Sequence, residues 1–157
     1  MAILIYGIYQ FYIFIGPRQA HFHRVASVAL HEEQLGDITL FQSITTLTPA
    51  PTPSFNTDLY DYFTLANGAS VATKRGDDKI IRIVSSFSDD KMLTIKGIGV
   101  GSSRKALISA YGTSYYRREE QGASIIGYVD KASHRTIEFW LHDQKVNMIR
   151  YDIDRMK

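Results

Sequence analysis

Two stretches of the chain alternate apolar and polar residues in short runs separated by turn signals. In the first, Leu59–Ala66 (LYDYFTLA) ends at Asn67-Gly68, a pair suited to hairpin turns. Ala69–Arg75, the turn Gly76–Asp78 and Lys79–Phe87 follow. In the second, Ser124–Asp130 turns at Lys131–Ser133, His134–Leu141 turns at His142–Gln144, and Lys145–Ile153 closes the set. Each stretch predicts a three-strand antiparallel meander. Between them, Thr94–Gly112 (TIKGIGVGSSRKALISAYG) reads as a glycine-rich turn opening a short helix. Ser102 or Ser103 is placed to cap its N-terminus, Leu107, Ile108 and Tyr111 share one face, and Gly112 suits the C-cap.

The two stretches also match each other. Val71, Lys79, Ile80 and Ile83 fall at one constant spacing from Ile137, Lys145, Val146 and Ile149. Upstream, Ile38, Leu40 and Ser43 in GDITLFQS fall at a second constant spacing from Ile98, Val100 and Ser103. Internal similarity of this kind points to duplication. The counterpart of the helix, ITTLTPAPTP, is β-branched and broken by proline, so it is short or missing. Thr48–Ser54 (TPAPTPS) reads as a loop or linker. The expected fold class is α+β: two tandem small repeats, each a short helix followed by a three-strand antiparallel meander. The expected organisation is an apolar N-terminal segment over 1–24, a degenerate first repeat over 25–90 and a second repeat over 91–157.

Ala2–Gly16 (AILIYGIYQFYIFIG) carries no charge and one polar interruption, Gln10. It is shorter than the roughly 20 apolar residues of a full span, although its Tyr and Phe suit a membrane interface. Only Met1 precedes the run and no small-x-small cleavage pattern follows it. Arg18 and Arg24 come next and favour retention of that side in the cytoplasm. Two readings stay open, a membrane anchor and an apolar element packed on the rest of the chain.

Composition narrows the function classes. Apolar residues make up 45% of the 157 residues, as in a folded domain, and ten Tyr and eight Phe favour sheet. A net charge of +2 with mixed signs does not point to nucleic acid. The absence of cysteine removes disulfides, thiolate metal sites and a cysteine nucleophile. The glycine stretch is not a phosphate loop. Gly97, Gly99 and Gly101 have neither the spacing nor the Lys that such loops need, so they serve a tight turn with Ile98 and Val100 pointing inward.

The run GIGVGSSRKALISAYG, followed by a meander, resembles the BamE (SmpA/OmlA)-like unit of bacterial envelope proteins. Two such units in tandem look like the architecture of β-lactamase inhibitor proteins. The resemblance covers about Gly36 to Ile153. It implies an extracytoplasmic bacterial protein that binds other proteins and catalyses nothing. The chain lacks the lipobox cysteine of the lipoproteins and the cysteines of the inhibitors, and Thr113 stands where the pattern often has proline.

Chemistry-bearing residues give weaker signals. His21 and His23 form H-x-H with Glu32 and Glu33 nearby but lack an obvious third ligand, so no metal is expected. Ser102, His134 and Asp130 can be drawn as a triad, yet no nucleophile elbow is present. Glu119-Glu120 reads as part of a solvated charged loop. No catalytic residue and no cofactor are expected. The stretch Tyr111–Gly122, with Tyr115, Tyr116, Arg117 and Arg118 between helix and strand, has the residue types of binding hot spots. In an inhibitor-like arrangement the outer sheet face would add Tyr128, Glu138, Trp140 and Arg150. The leading expectation is a non-enzymatic protein-binding module with another protein as partner, tethered to a bacterial membrane through residues 2–16, and no nucleic acid. The alternatives are a structural, self-associating membrane-anchored domain, or a small ligand-binding protein or hydrolase.

Overall fold

The computed structural model describes residues 20–86 and 92–153. It contains strands β1 (Gln34–Leu35) and β2 (Ile38–Thr39), a 3₁₀ turn η1 (Ile44–Thr46), and strands β3 (Thr52–Asn56), β4 (Tyr60–Thr64), β5 (Ser70–Lys74) and β6 (Ile80–Ser85). Helix α1 (Arg104–Tyr111) follows, then β7 (Tyr116–Glu120), β8 (Ala123–Asp130), β9 (Arg135–His142) and β10 (Lys145–Ile153). Residues 20–24 are also helical. Strands β1 and β2 pair with each other, and the remaining strands form one eight-stranded antiparallel sheet in the order β3-β4-β5-β6-β10-β9-β8-β7.

This overturns the expected α+β pair of helix-plus-meander repeats. The protein is mostly β. Each meander has four strands, the two join edge to edge through β6 and β10, and the first carries no α-helix. The extra strands are β3 and β7, one at each margin. β3 lies in the stretch expected to be a linker. Its Pro53 lacks an N–H, which an edge strand tolerates. β7 lies in the stretch expected to be a loop. Its sequence YRREE shows no apolar alternation because its outer-face positions Arg118 and Glu120 are engaged in ion pairs and not in apolar packing.

Some of the spacing matches fall on matching local geometry, although Val71 pairs with Ile83 whereas Ile137 pairs with Tyr151 and not with Ile149. Phe41 N–H donates to the Ile80 carbonyl and Gly101 N–H to the Val146 carbonyl, both at 2.7 Å. Ile80 N–H returns to Gln42 O at 3.0 Å and Val146 N–H to Ser102 O at 2.9 Å. Ser43 caps η1 and Ser103 caps α1, and each bridges the first residue of the last meander run, Lys79 and Lys145. The likeness is therefore one of chain entry into the sheet, and only the later segment continues into an α-helix.

The main core lies on one face of the sheet. The row Phe63–Val71–Ile83–Tyr151–Ile137–Tyr128 runs across β4, β5, β6, β10, β9 and β8 on a single face. Leu107 and Tyr111 of α1, with Leu30, Leu35 and Ile38, bury that face. The helix begins where the Ser103 hydroxyl accepts from Ala106 N–H at 3.1 Å and ends at Gly112, whose φ of 85° is open to glycine. The apolar run 2–16 lies outside the described residues. Among those described, no helix is long and apolar enough to cross a membrane.

Candidate protein-binding face

The face of the sheet turned away from α1 is organised by strand register. Because side chains alternate along a strand, paired residues share a face. One row runs Ser70–Val84–Arg150–Glu138–Gly127–Tyr116. Beside it run Tyr62–Ala72–Arg82–Asp152–Thr136–Val129 and Met148–Trp140–Ile125–Arg118.

Glu138 is the centre of this face and is fully buried. Arg118 donates to both of its oxygens, Nε to Oε1 at 2.9 Å and Nη2 to Oε2 at 3.0 Å. Arg150 and the Tyr116 hydroxyl donate to the same carboxylate. Burial alone would weaken the hold of Arg118 on its proton, but the bonds to Glu138 outweigh it and raise the pKa further. The two guanidiniums flank the Trp140 ring, Arg118 at 5.4 Å and Arg150 at 5.6 Å from its centroid. The indole N–H has no acceptor among the described residues. Across the central junction, Arg82 Nε meets the buried Asp152 at 2.8 Å. Tyr116 reaches Glu138 by lying over Gly127. A Cβ there would stand 2.1 Å from the ring, so the close approach requires glycine.

Toward β3 and β4 the face becomes aromatic. Phe55 is 57% exposed and stacks on Tyr62 at 4.2 Å with planes 12° apart; Tyr60 meets Tyr62 edge-on at 6.5 Å. Leu59, 59% exposed, lies in the turn beside them.

Of the residues singled out from sequence, the structure brings Tyr116, Arg118, Glu138, Trp140 and Arg150 together. It separates Tyr128, which pairs with Ile137 and so lies fully buried on the core face under α1. Its hydroxyl donates to Gly112 O at 2.9 Å, and it has no surface to offer a partner on the outer face. Tyr115 packs edge-on against Tyr128 at 5.9 Å, and exposed Arg117 donates to its hydroxyl at 3.1 Å, which lowers the Tyr115 pKa. Tyr116 is itself only 5% exposed and acts as a support beneath the face. Phe55, Leu59, Tyr60, Tyr62, Arg82 and Asp152 were not singled out from sequence. The alternation of Tyr60 and Tyr62 in LYDYFTLA signals that they share a face, but nothing in it says which face is buried.

Several of the chemistry-bearing residues carry structural bonds. The carboxylate of Asp130 accepts from the backbone N–H of Leu30 (2.9 Å), Ala132 (3.0 Å) and Ser133 (3.1 Å), so it fastens the chain before β1 to the β8–β9 turn. Burial would raise its pKa, but these bonds prevail and lower it. Ser102 Oγ accepts from Gly99 N–H within the glycine turn. Buried Glu33 accepts from the Tyr111 hydroxyl at 2.6 Å and from Ile95 N–H at 2.8 Å, and its neighbour in space Tyr111 is pushed up by burial and by that carboxylate. No group of three or more His, Cys, Asp or Glu able to hold a metal ion occurs among the described residues. A groove of about 740 Å³ lined by Ile38, Leu47, Pro49, Leu65 and Asn67 has Asp37 as its one titratable group. Compared with family models, with curated proteins and with solved structures, the chain matches none.

Proposed function

We propose that the chain is a non-enzymatic protein-binding module whose partner, another protein, docks on the outer face of the sheet. The observation that carries this is the pairing of two aromatic anchors on one face: the exposed Phe55–Tyr62 stack on β3–β4, and Trp140 held between two guanidiniums on β7–β10. Trp, Tyr and Arg dominate binding hot spots because each offers a large rigid surface with a polar handle. Here the arginines are fixed by Glu138 before any partner arrives, so little side-chain freedom remains to be lost. The edges of the sheet are poorly suited to self-association through strand pairing. β3 carries Pro53 and β7 carries four successive charged residues, Arg117–Glu120, both devices that discourage edge pairing. The apolar, uncharged run 2–16 supports tethering to a membrane, and the envelope resemblance supports a bacterial, extracytoplasmic location, against which Arg18 and Arg24 count.

Cross-linking of the full chain in its host membranes, followed by comparison of variants, tests the proposal. Tyr62→Ala and Trp140→Ala are each expected to lose a partner that wild type and the helix-surface variant Lys105→Ala retain. Equal retention by all of them would exclude the outer face. A full chain that fractionates without membranes would remove the tether.

A further inference from the structure

We propose that residues 20–25 form a proton-sensitive strap over the Tyr116–Glu138 end of the outer face, with His21 as its sensor. The inference concerns the strap alone and holds whether or not the face takes a partner.

Among the described residues, a small set of contacts holds the strap. His21 lies parallel on the Tyr116 ring, with centroids 4.9 Å apart and planes 5° from coplanar. Phe22 is buried against Tyr116 and Val129, with Val25 packed beside it, and its ring lies 6.3 Å from that of His134. Lys131 adds a polar tie, Nζ to the His23 carbonyl at 3.1 Å, and its backbone N–H donates to Ser27 Oγ at 3.0 Å just beyond the strap. Side-chain packing, a ring stack and a single lysine tie, in place of a ladder of strand hydrogen bonds, let such a segment open locally more easily than the strands beneath it.

The stack places His21 among cations. On β7 the neighbouring group is Arg118, with its guanidinium fixed on Glu138. On the strap itself is Arg24. Glu138 of β9 is the anion that faces His21, and it already serves Arg118, Arg150 and Tyr116. His23 and Lys131 lie beside the strap, and His134 beside Phe22. A proton on His21 therefore adds a positive charge in a partly desolvated place where the opposing charge is already shared. Burial first, then Arg118 and Arg24, hold the imidazole below its ordinary value of 6.5. A histidine whose folded pKa lies below its unfolded one favours the docked state fully above the unfolded value. That stabilisation is lost as pH falls through the docked pKa. The strap is closed at neutral pH and loosens in mild acid. Opening bares Tyr116, Val129 and the Arg118–Glu138 pair.

Amide hydrogen exchange on the full chain at about pH 7 and about pH 5, corrected for the intrinsic rate, reads the strap directly. In wild type, protection of residues 21–25 is expected to fall severalfold in acid while β8 and β9 hold. His21→Phe keeps a ring on Tyr116 without a titrating group and is expected to keep its protection at both pH values; His23→Phe is expected to behave as wild type. A nuclear magnetic resonance titration of the His21 ring is expected to give a midpoint below 6.5 that tracks the loss of protection. Unchanged protection in wild type, an equal loss in His21→Phe, or a midpoint at or above 6.5 would overturn the proposal.

Discussion

Glu138 shows how one residue can organise a face. A carboxylate with no solvent exposure is costly unless its oxygens are filled, and here Arg118, Arg150 and Tyr116 fill them. The same bonds set the height of both guanidiniums against Trp140, and the Tyr116 contact exists because Gly127 leaves room for the ring. Glu138→Ala would leave two largely buried cations with weaker support, Arg118 with the half-exposed Glu120 and Arg150 with Asp152 at 3.9 Å. We expect a loss of about 3–5 kcal/mol, read as a lower urea midpoint. The fluorescence of Trp140, the sole tryptophan, should shift as its two cationic neighbours move. A cost below about 1 kcal/mol would mean that the cluster contributes as little as a surface ion pair.

At the scale of elements, the two cap serines make a comparison within one molecule. Ser103 starts an eight-residue helix that buries Leu107 and Tyr111 on the core, so Ser103→Ala should cost about 1 kcal/mol in chemical denaturation. Ser43 starts only the three-residue turn η1, in which no residue is buried, so Ser43→Ala should cost less through the cap itself. A larger cost at Ser43 would assign that serine's weight to its bond with Asp78 instead. The same contrast explains what was legible in the sequence. Strands β4–β6 and β8–β10 and helix α1 declare themselves because strong alternation or capping coincides with turn residues. The first half's missing helix was also foreshadowed by its prolines and β-branched residues. The marginal strands were not legible. Thr48–Ser54, which runs into β3, looks like a linker because of its three prolines, and Tyr116–Glu120 looks like a loop because ion pairs and not apolar packing hold its charged side chains. The site was half legible for a related reason. Period-two alternation puts Glu138 and Trp140 on one face of β9, but placing Tyr128 requires the β8–β9 register, and sequence alone does not state a register.

For the whole molecule the decisive junction is β6 against β10. There Ile83 pairs with Tyr151 on the core face, and the Arg82–Asp152 ion pair ties the same strands on the outer face. The core cluster likewise mixes Val71 and Ile80 of the first half with Leu107, Ile137 and Phe139 of the second, so neither half has a hydrophobic core of its own. Elements that share one core unfold together. Ile83→Ala removes fully buried methyl groups from the first half and should cost about 2–5 kcal/mol. Because the core is shared, the urea midpoint reported by Trp140, which lies in the second half, should fall with that of the far-ultraviolet circular dichroism signal. Tyrosine side-chain resonances from β4 should follow the same curve. If Trp140 reported its wild-type midpoint while the β4 signals shifted, the two meanders would be separate folding units that merely abut. The sheet drawn by the hydrogen bonds would then be continuous in geometry but not in energy.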